Sequence, residues 1–183
     1  MRVVLDACVL YPTVLREILT GVARAGLFAP LWSERILEEW ARATRKLGPG
    51  AEALARAEGA ALRAGFPAAT IAAQPGIEAR LHLRDENDIH VLAVAIAGSA
   101  DAILTFNAAD FPRHTLAAEG LARRDPDGFL WELWSHHPEA VTVVIEAVRA
   151  EAGRLSGQPQ PRRPFLRRAS LPRLARAMDA QPI

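Results

Sequence analysis

Cysteine is nearly absent from this chain: Cys8 is the only one in 183 residues. A lone thiol excludes an internal disulfide and a zinc site built on cysteines. Long apolar runs are missing too, and none approaches the roughly 20 residues that span a bilayer. The N-terminus enters a short apolar segment, Val3-Val4-Leu5, that meets Asp6 at once, so no signal peptide is expected. A cytoplasmic protein without membrane contact is the simplest expectation. There is no Gly-rich phosphate loop, no Ser-His-Asp arrangement and no internal repeat.

Half of the residues are hydrophobic and 23% are charged, which argues for a folded domain with a sizeable core and against wholesale disorder. Lys46 is the single lysine, so positive charge rests on arginine. The formal net charge of +1 conceals an asymmetry. Residues 1–125 carry 14 basic against 15 acidic side chains, whereas residues 152–183 carry seven arginines and one acid, Asp179. A basic C-terminal segment suits a polyanion or a docking partner. Its competitor is a compositional bias towards Arg and Ala.

Short β-branched or aliphatic runs alternate with helical patterns. Val3–Leu5 reads as a buried parallel strand, and Pro12 suits the first turn of a helix closing at Gly26. Residues 27–31 are a second extended candidate. Ser33 can cap a helix in which Ile36, Leu37, Trp40, Ala41 and Thr44 follow the helical period, broken by Gly48-Pro49-Gly50. A third helix is expected over 51–64, a weak strand over 70–72 and a helix over 88–97. Residues 102–105 form the clearest second buried strand, followed by a turn at 107–110 and a further strand at 121–123. A helix that starts at Asp125-Pro126 and contains Trp131 and Trp134, a longer one over 138–155, a Pro-rich linker over 157–164 and a short helix after Ser170 complete the reading. Alternation of this kind indicates an α/β fold with a parallel sheet.

In open parallel sheets, ligands bind beyond the carboxyl ends of the strands. Asp6 ends the first strand, Asn107 and Asp110 follow the strand ending at Thr105, and Asp88 opens the helix leading into that strand. Converging carboxylates repel one another, and a hard divalent cation relieves the repulsion. Their oxygens are the ligands that Mg²⁺ and Mn²⁺ prefer.

Four segments, in order, resemble the signature of PIN domains. They are Val4-Leu5-Asp6-Ala7-Cys8, Ser33 followed by Glu39, Asp85-Glu86-Asn87-Asp88-Ile89-His90, and Thr105-Phe106-Asn107-Ala108-Ala109-Asp110-Phe111. Each alone is weak, but four in sequence order are specific. The resemblance covers about residues 2–125. It implies a three-layer α/β/α fold with a central parallel sheet and metal-dependent cleavage of RNA. Asp6, Glu39, Asp88 and Asp110 would be the catalytic and metal-binding acids, holding one or two Mg²⁺ or Mn²⁺ ions. Asn107, Asp85 and His90 would support them. Attack by metal-activated water would leave a 5′-phosphate and a 3′-hydroxyl.

Bacterial relatives are often toxins of VapBC-type pairs, restrained by an antitoxin protein and commonly dimeric. The resemblance therefore implies an RNA substrate, a cognate antitoxin and room for a homodimer. The expected domains are a PIN nuclease domain over 1–125 and a helical C-terminal extension with a basic Pro/Arg-rich tail over 126–183. A departure from the pattern is Cys8, where many relatives carry Asn or Ser.

Each assignment has a plainer competitor. Asp6 and Asp110 could be turn acids, Asp88 could serve only the first turn of its helix, and Asp85 is the better cap. The helical wheel leaves Glu38 and Glu39 equivalent. His90 reads equally as a core histidine, Cys8 as a small buried hydrophobe, and the pair His136-His137 as a chain turn rather than a metal site. Trp131 and Trp134 read as packing residues before base-stacking ones. An aspartyl-nucleophile phosphatase would need an acid where Cys8 stands. A catalytically silent PIN module acting as a binding partner is the alternative from another class.

Overall fold

Strand β1 (Arg2–Leu5) is buried at Val3, Val4 and Leu5, side chains that point to both faces of the pleat. Only a strand covered on both sides tolerates that pattern. In the computed structural model, which describes residues 1–180, β1 lies inside a four-stranded sheet. The other strands are β2 (Ala29–Leu31), β3 (Ala102–Leu104) and β4 (Ala122–Arg124), in the order β2-β1-β3-β4. Every pairing is parallel, with Val4 opposite Leu31 on one side and Ile103 on the other. β3 is wholly buried, whereas β4 forms an edge with exposed and half-buried residues.

The chain divides into two compact units, one of residues 1–11 and 28–124, the other of residues 12–27 and 125 onward. The first holds the sheet and helices α1 (Ala7–Leu10), α3 (Glu34–Ala43), α4 (Ala51–Gly65), α5 (Pro75–Glu78), α6 (Ile89–Ala97) and α7 (Arg113–Ala118). Helix α3 starts where the Ser33 hydroxyl accepts from Ile36 N at 3.2 Å, a capping bond for an otherwise orphaned donor. It buries Ile36, Leu37, Trp40 and Ala41 along one stripe. Helix α6 is apolar nearly all round, and residues 90–95 are all buried, as expected of a core helix.

The second unit holds α2 (Thr13–Arg24), α8 (Pro126–His136), α9 (Pro138–Ser156), α10 (Arg162–Arg168) and α11 (Pro172–Ala180). Helix α2, which the sequence reading counts with the first 125 residues, groups here with the C-terminal helices. Its Gly21 lies against α9 so closely that a Cβ there would stand 2.6 Å from Val144 Cγ1. Trp134 is buried and donates through Nε1 to Thr142 Oγ1 at 3.2 Å. Trp131 carries the Arg173 guanidinium over its ring at 3.5 Å. The Asp127 carboxylate accepts from the backbone N–H groups of Arg173 and Leu174 at 2.7 and 3.0 Å, tying α8 to the start of α11.

Several expectations change. The linker placed at 157–164 turns helical from Arg162, because Pro164 falls in the first turn, where its missing N–H is not needed. The basic segment, expected to hold one short helix after Ser170, holds two packed helices, with Phe165, Leu166, Leu171, Leu174 and Met178 buried. The weak strand at 70–72 reduces to a single bridge between Thr70 and Trp32. The last strand runs one residue later than expected, at Ala122–Arg124. Helices α1, α5 and α7 escape sequence reading because four to six residues are too few to show a helical period. Among the described residues, no helix is long and apolar enough to cross a membrane.

Candidate metal centre

β2 lies on one side of β1 and β3 on the other, so the chain changes direction across the sheet between β1 and β3. Such a switch point opens a crevice at the carboxyl ends of the strands. Asp6 leaves β1 there, and its backbone N–H extends the ladder to Leu104 O at 3.2 Å. Asp6 starts α1 but makes no side-chain capping bond, so its carboxylate is not spent on the helix. Oδ2 instead accepts from Thr105 Oγ1 at 2.6 Å and from Cys8 Sγ at 3.0 Å. Thr105 in turn accepts from the Asn107 backbone N–H at 2.9 Å, which sets the turn after β3. Asn107 then donates through Nδ2 to the Asp110 carboxylate.

Cys8 is thus more than the small buried hydrophobe expected of it. Burial, and then the charge of Asp6, push its thiol up to about 12 from 9.0. It stays protonated at neutral pH, and so it acts as a donor to Asp6.

The loop before α6 supplies the next acids. Asp85 Oδ1 accepts from the backbone and side-chain nitrogens of Asn87, both at 2.9 Å, so Asp85 caps the 3₁₀ turn that runs into α6. Asp88 stands at the N-terminus of α6 without a side-chain capping bond. Among the described residues, Asp85, Asp88 and Asp110 form a group whose ligand atoms lie within 4.8 Å of one another. Asp88 Oδ2 is buried and has no hydrogen-bond partner among the described residues. Desolvation, then the charges of Asp6, Asp110, Asp85 and Glu39, push the Asp88 carboxyl up to about 6 from its ordinary 3.8.

The tertiary contacts separate the two glutamates that the helical wheel leaves equivalent. Glu38 pairs with Arg42 and Arg56 in an exposed network, and those partners hold it down at about 2. Glu39 faces His90, whose Nε2 lies 3.1 Å from Oε2 and 3.0 Å from Oε1. It also accepts from Arg35 Nε at 3.1 Å. Burial raises the Glu39 carboxyl, but the bonds and charges of His90 and Arg35 outweigh it, and the net shift is downward. A carboxylate can only accept, so His90 Nε2 carries the proton. Its Nδ1 is buried without a partner among the described residues.

The seven residues singled out from the sequence all fall in the first unit. Asp88 and Asp110 join Asp85 in one small volume, so Asp85 is both cap and potential ligand. Asp6 and Glu39 stand outside that trio but near enough for their charges to act on Asp88. The donor set fits a hard cation: acid oxygens crowd around a buried oxygen that nothing else satisfies. His136 and His137 are exposed at the junction of α8 and α9, as a chain turn requires.

A family model for the PIN domain matches residues 2–109. The chain belongs to the PIN-domain family. No curated protein and no solved structure matches it. PIN domains are generally metal-dependent nucleases, and the acidic cluster of this PIN domain is compatible with metal binding. The family match ends at residue 109, one position before Asp110.

Two residues of the site escape the sequence reading. Thr105, at the end of β3, anchors Asp6 across 99 positions of chain, and no local pattern announces such a bond. Arg35 reaches Glu39 and, at 3.3 Å, the Asn87 carbonyl. Its spacing of four from Glu39 is a legible helical pair, and only the fold places that pair at the site.

Proposed function

We propose that this PIN domain is a metal-dependent endoribonuclease, the cytoplasmic toxin of a VapBC-type pair. The observation that carries the nuclease reading is the Asp88 oxygen, buried and unsatisfied among four other acids at the switch point of a parallel sheet. Asp6, Glu39, Asp88 and Asp110, with Asp85 added, are the residues that would hold a divalent cation, Mg²⁺ or Mn²⁺ by donor type. Such a cation, when bound, makes water more acidic and offsets the charge that develops on a phosphodiester.

The remaining work belongs to the chain. Thr105 and Cys8 orient Asp6, Asn107 holds Asp110, and His90 with Arg35 fixes Glu39. Hydrolysis joins a water oxygen to phosphorus and breaks the bond to the 3′ oxygen, leaving a 5′-phosphate and a 3′-hydroxyl. RNA as substrate, a cognate antitoxin and a homodimeric state belong to this reading through the family resemblance.

The test is cleavage of a labelled, structured RNA pool by purified protein with Mg²⁺, with Mn²⁺ and with EDTA, alongside Asp6→Asn. Cuts that need metal and vanish in the variant are expected. A folded protein that binds Mn²⁺ and cuts neither RNA nor DNA would instead be a silent binding module. Co-purification with the product of an adjacent small gene, and loss of cleavage in that complex, would support the toxin role. Full activity in its presence would remove it.

A further inference from the structure

A site with five acids repels the polyanion it is proposed to cut, so attraction must come from elsewhere. Within residues 160–180, six arginines (162, 163, 167, 168, 173 and 176) face one acid, Asp179. The turn at residues 169–171 reverses the chain, with Leu171 N–H on Leu166 O at 3.0 Å and Ser170 at φ 63°. Arg162 Nη2 reaches Met178 O at 3.1 Å, which brings the start of α10 against the end of α11. The two helices therefore run antiparallel, with Phe165, Leu166, Leu174 and Met178 buried.

Burial of that stripe turns the charges outward. Arg163, Arg167, Arg168, Arg173 and Arg176 are all exposed. Arg163 and Arg167 are four apart on α10, and Arg173 and Arg176 three apart on α11, so each helix shows a basic face. Nearby carboxylates are already engaged: Asp179 with Arg163, Glu146 with Arg149, and Asp127 with the α11 backbone. Arg167 and Arg176 make no side-chain hydrogen bond or ion pair with any described residue. Arg173 places its guanidinium carbon over the Trp131 ring, 3.5 Å from the centroid, which restrains the group in advance.

We propose that the outer faces of α10 and α11 form a binding surface for the phosphate backbone of RNA, recruiting substrate without reading its sequence. The proposal rests on RNA being the substrate of the metal centre. An anionic membrane is the weaker occupant, because none of the exposed large hydrophobic side chains among the described residues (Met1, Leu47, Leu54, Phe106, Val143 and Leu155) lies on these helices to enter lipid. The bland competitor is that Arg167 and Arg168 only serve the carboxyl end of α10.

Deleting the segment would expose the side chains of α8 that pack against it, so substitution is the sounder test. Full-length protein would be titrated onto a labelled single-stranded RNA in EDTA, between about 50 and about 200 mM salt. The triple variant Arg167→Gln/Arg168→Gln/Arg176→Gln should melt like the parent. It should lower the slope of log affinity against log salt by about 0.7 per lost phosphate contact, up to about 2 in all. Lysine at the same three positions should restore the slope, since a point charge suffices for counterion release. Arg176→Gln alone should lower it by about 0.7, which keeps the test open should the triple variant unfold.

An unchanged slope in folded variants overturns the proposal, whether or not stability falls. So does wild-type protein that binds phosphatidylglycerol vesicles but not RNA. A slope that responds to the arginines without any metal-dependent cleavage would sustain the surface and sink the nuclease. Cleavage with an unresponsive slope would do the reverse.

Discussion

The Asp88 carboxyl, pushed up to about 6, keeps its proton in the folded protein over a range where the unfolded chain has released it. Its contribution to stability is therefore fully present below 3.8 and is lost as pH rises through about 6. Asp88→Asn removes this dependence. In EDTA the variant should melt above the parent well above pH 6 and close to it near pH 4, as read by thermal denaturation. An equal difference at both pH values would contradict the assigned cause. The same substitution should abolish any rise in melting temperature on adding Mn²⁺. Thr105→Val and His90→Leu act through neighbours, the one on Asp6 and the other on Glu39. Each should weaken Mn²⁺ binding by roughly 10–100-fold, as outer partners of metal ligands do, measurable by calorimetric titration.

Between elements, packing decides the outcome. At Gly21 any side chain meets Val144, a β-branched residue with little freedom to rotate away inside α9. Gly21→Val should cost about 1–3 kcal/mol through overpacking, read from chemical denaturation. No loss would mean that α2 and α9 do not approach as described. In the α10–α11 hairpin, Phe165 is 3% exposed. Phe165→Ala should therefore cost about 3–5 kcal/mol if the hairpin is part of the cooperative fold. A loss within about 0.5 kcal/mol, the range of ordinary surface changes, would make the hairpin an independent appendage. Elements of two turns or more were legible in the chain because each carries a complete apolar stripe and a cap or breaker, as α3 does with Ser33. The single-turn helices were not, and neither was α10, whose Pro164 reads as a linker until its position in the first turn is known.

For the molecule as a whole, a metal ion that binds only the folded site would stabilise the fold. At about one hundred times its dissociation constant, Mn²⁺ should stabilise the protein by about 2.7 kcal/mol. For a chain of this size that is a rise in melting temperature of roughly 5–10 °C, weaker below pH 6, where Asp88 is protonated. An equal rise for Asp88→Asn would place the ion elsewhere. The parallel α/β class and the acids Asp6, Asp88 and Asp110 could be read along the chain, because strand ends and helix starts are local features and a parallel sheet gathers them at one edge. Glu39 was set apart from Glu38 only by the resemblance, through its spacing from Ser33, since the helical period treats both alike and the contact that separates them comes from His90, 51 positions away. Contacts likewise decide the thiol of Cys8 on Asp6, the double use of Asp85 and the outward arginines of a segment that reads as a tail. Each depends on which distant side chain arrives beside it, and that follows from packing rather than from any spacing in the sequence.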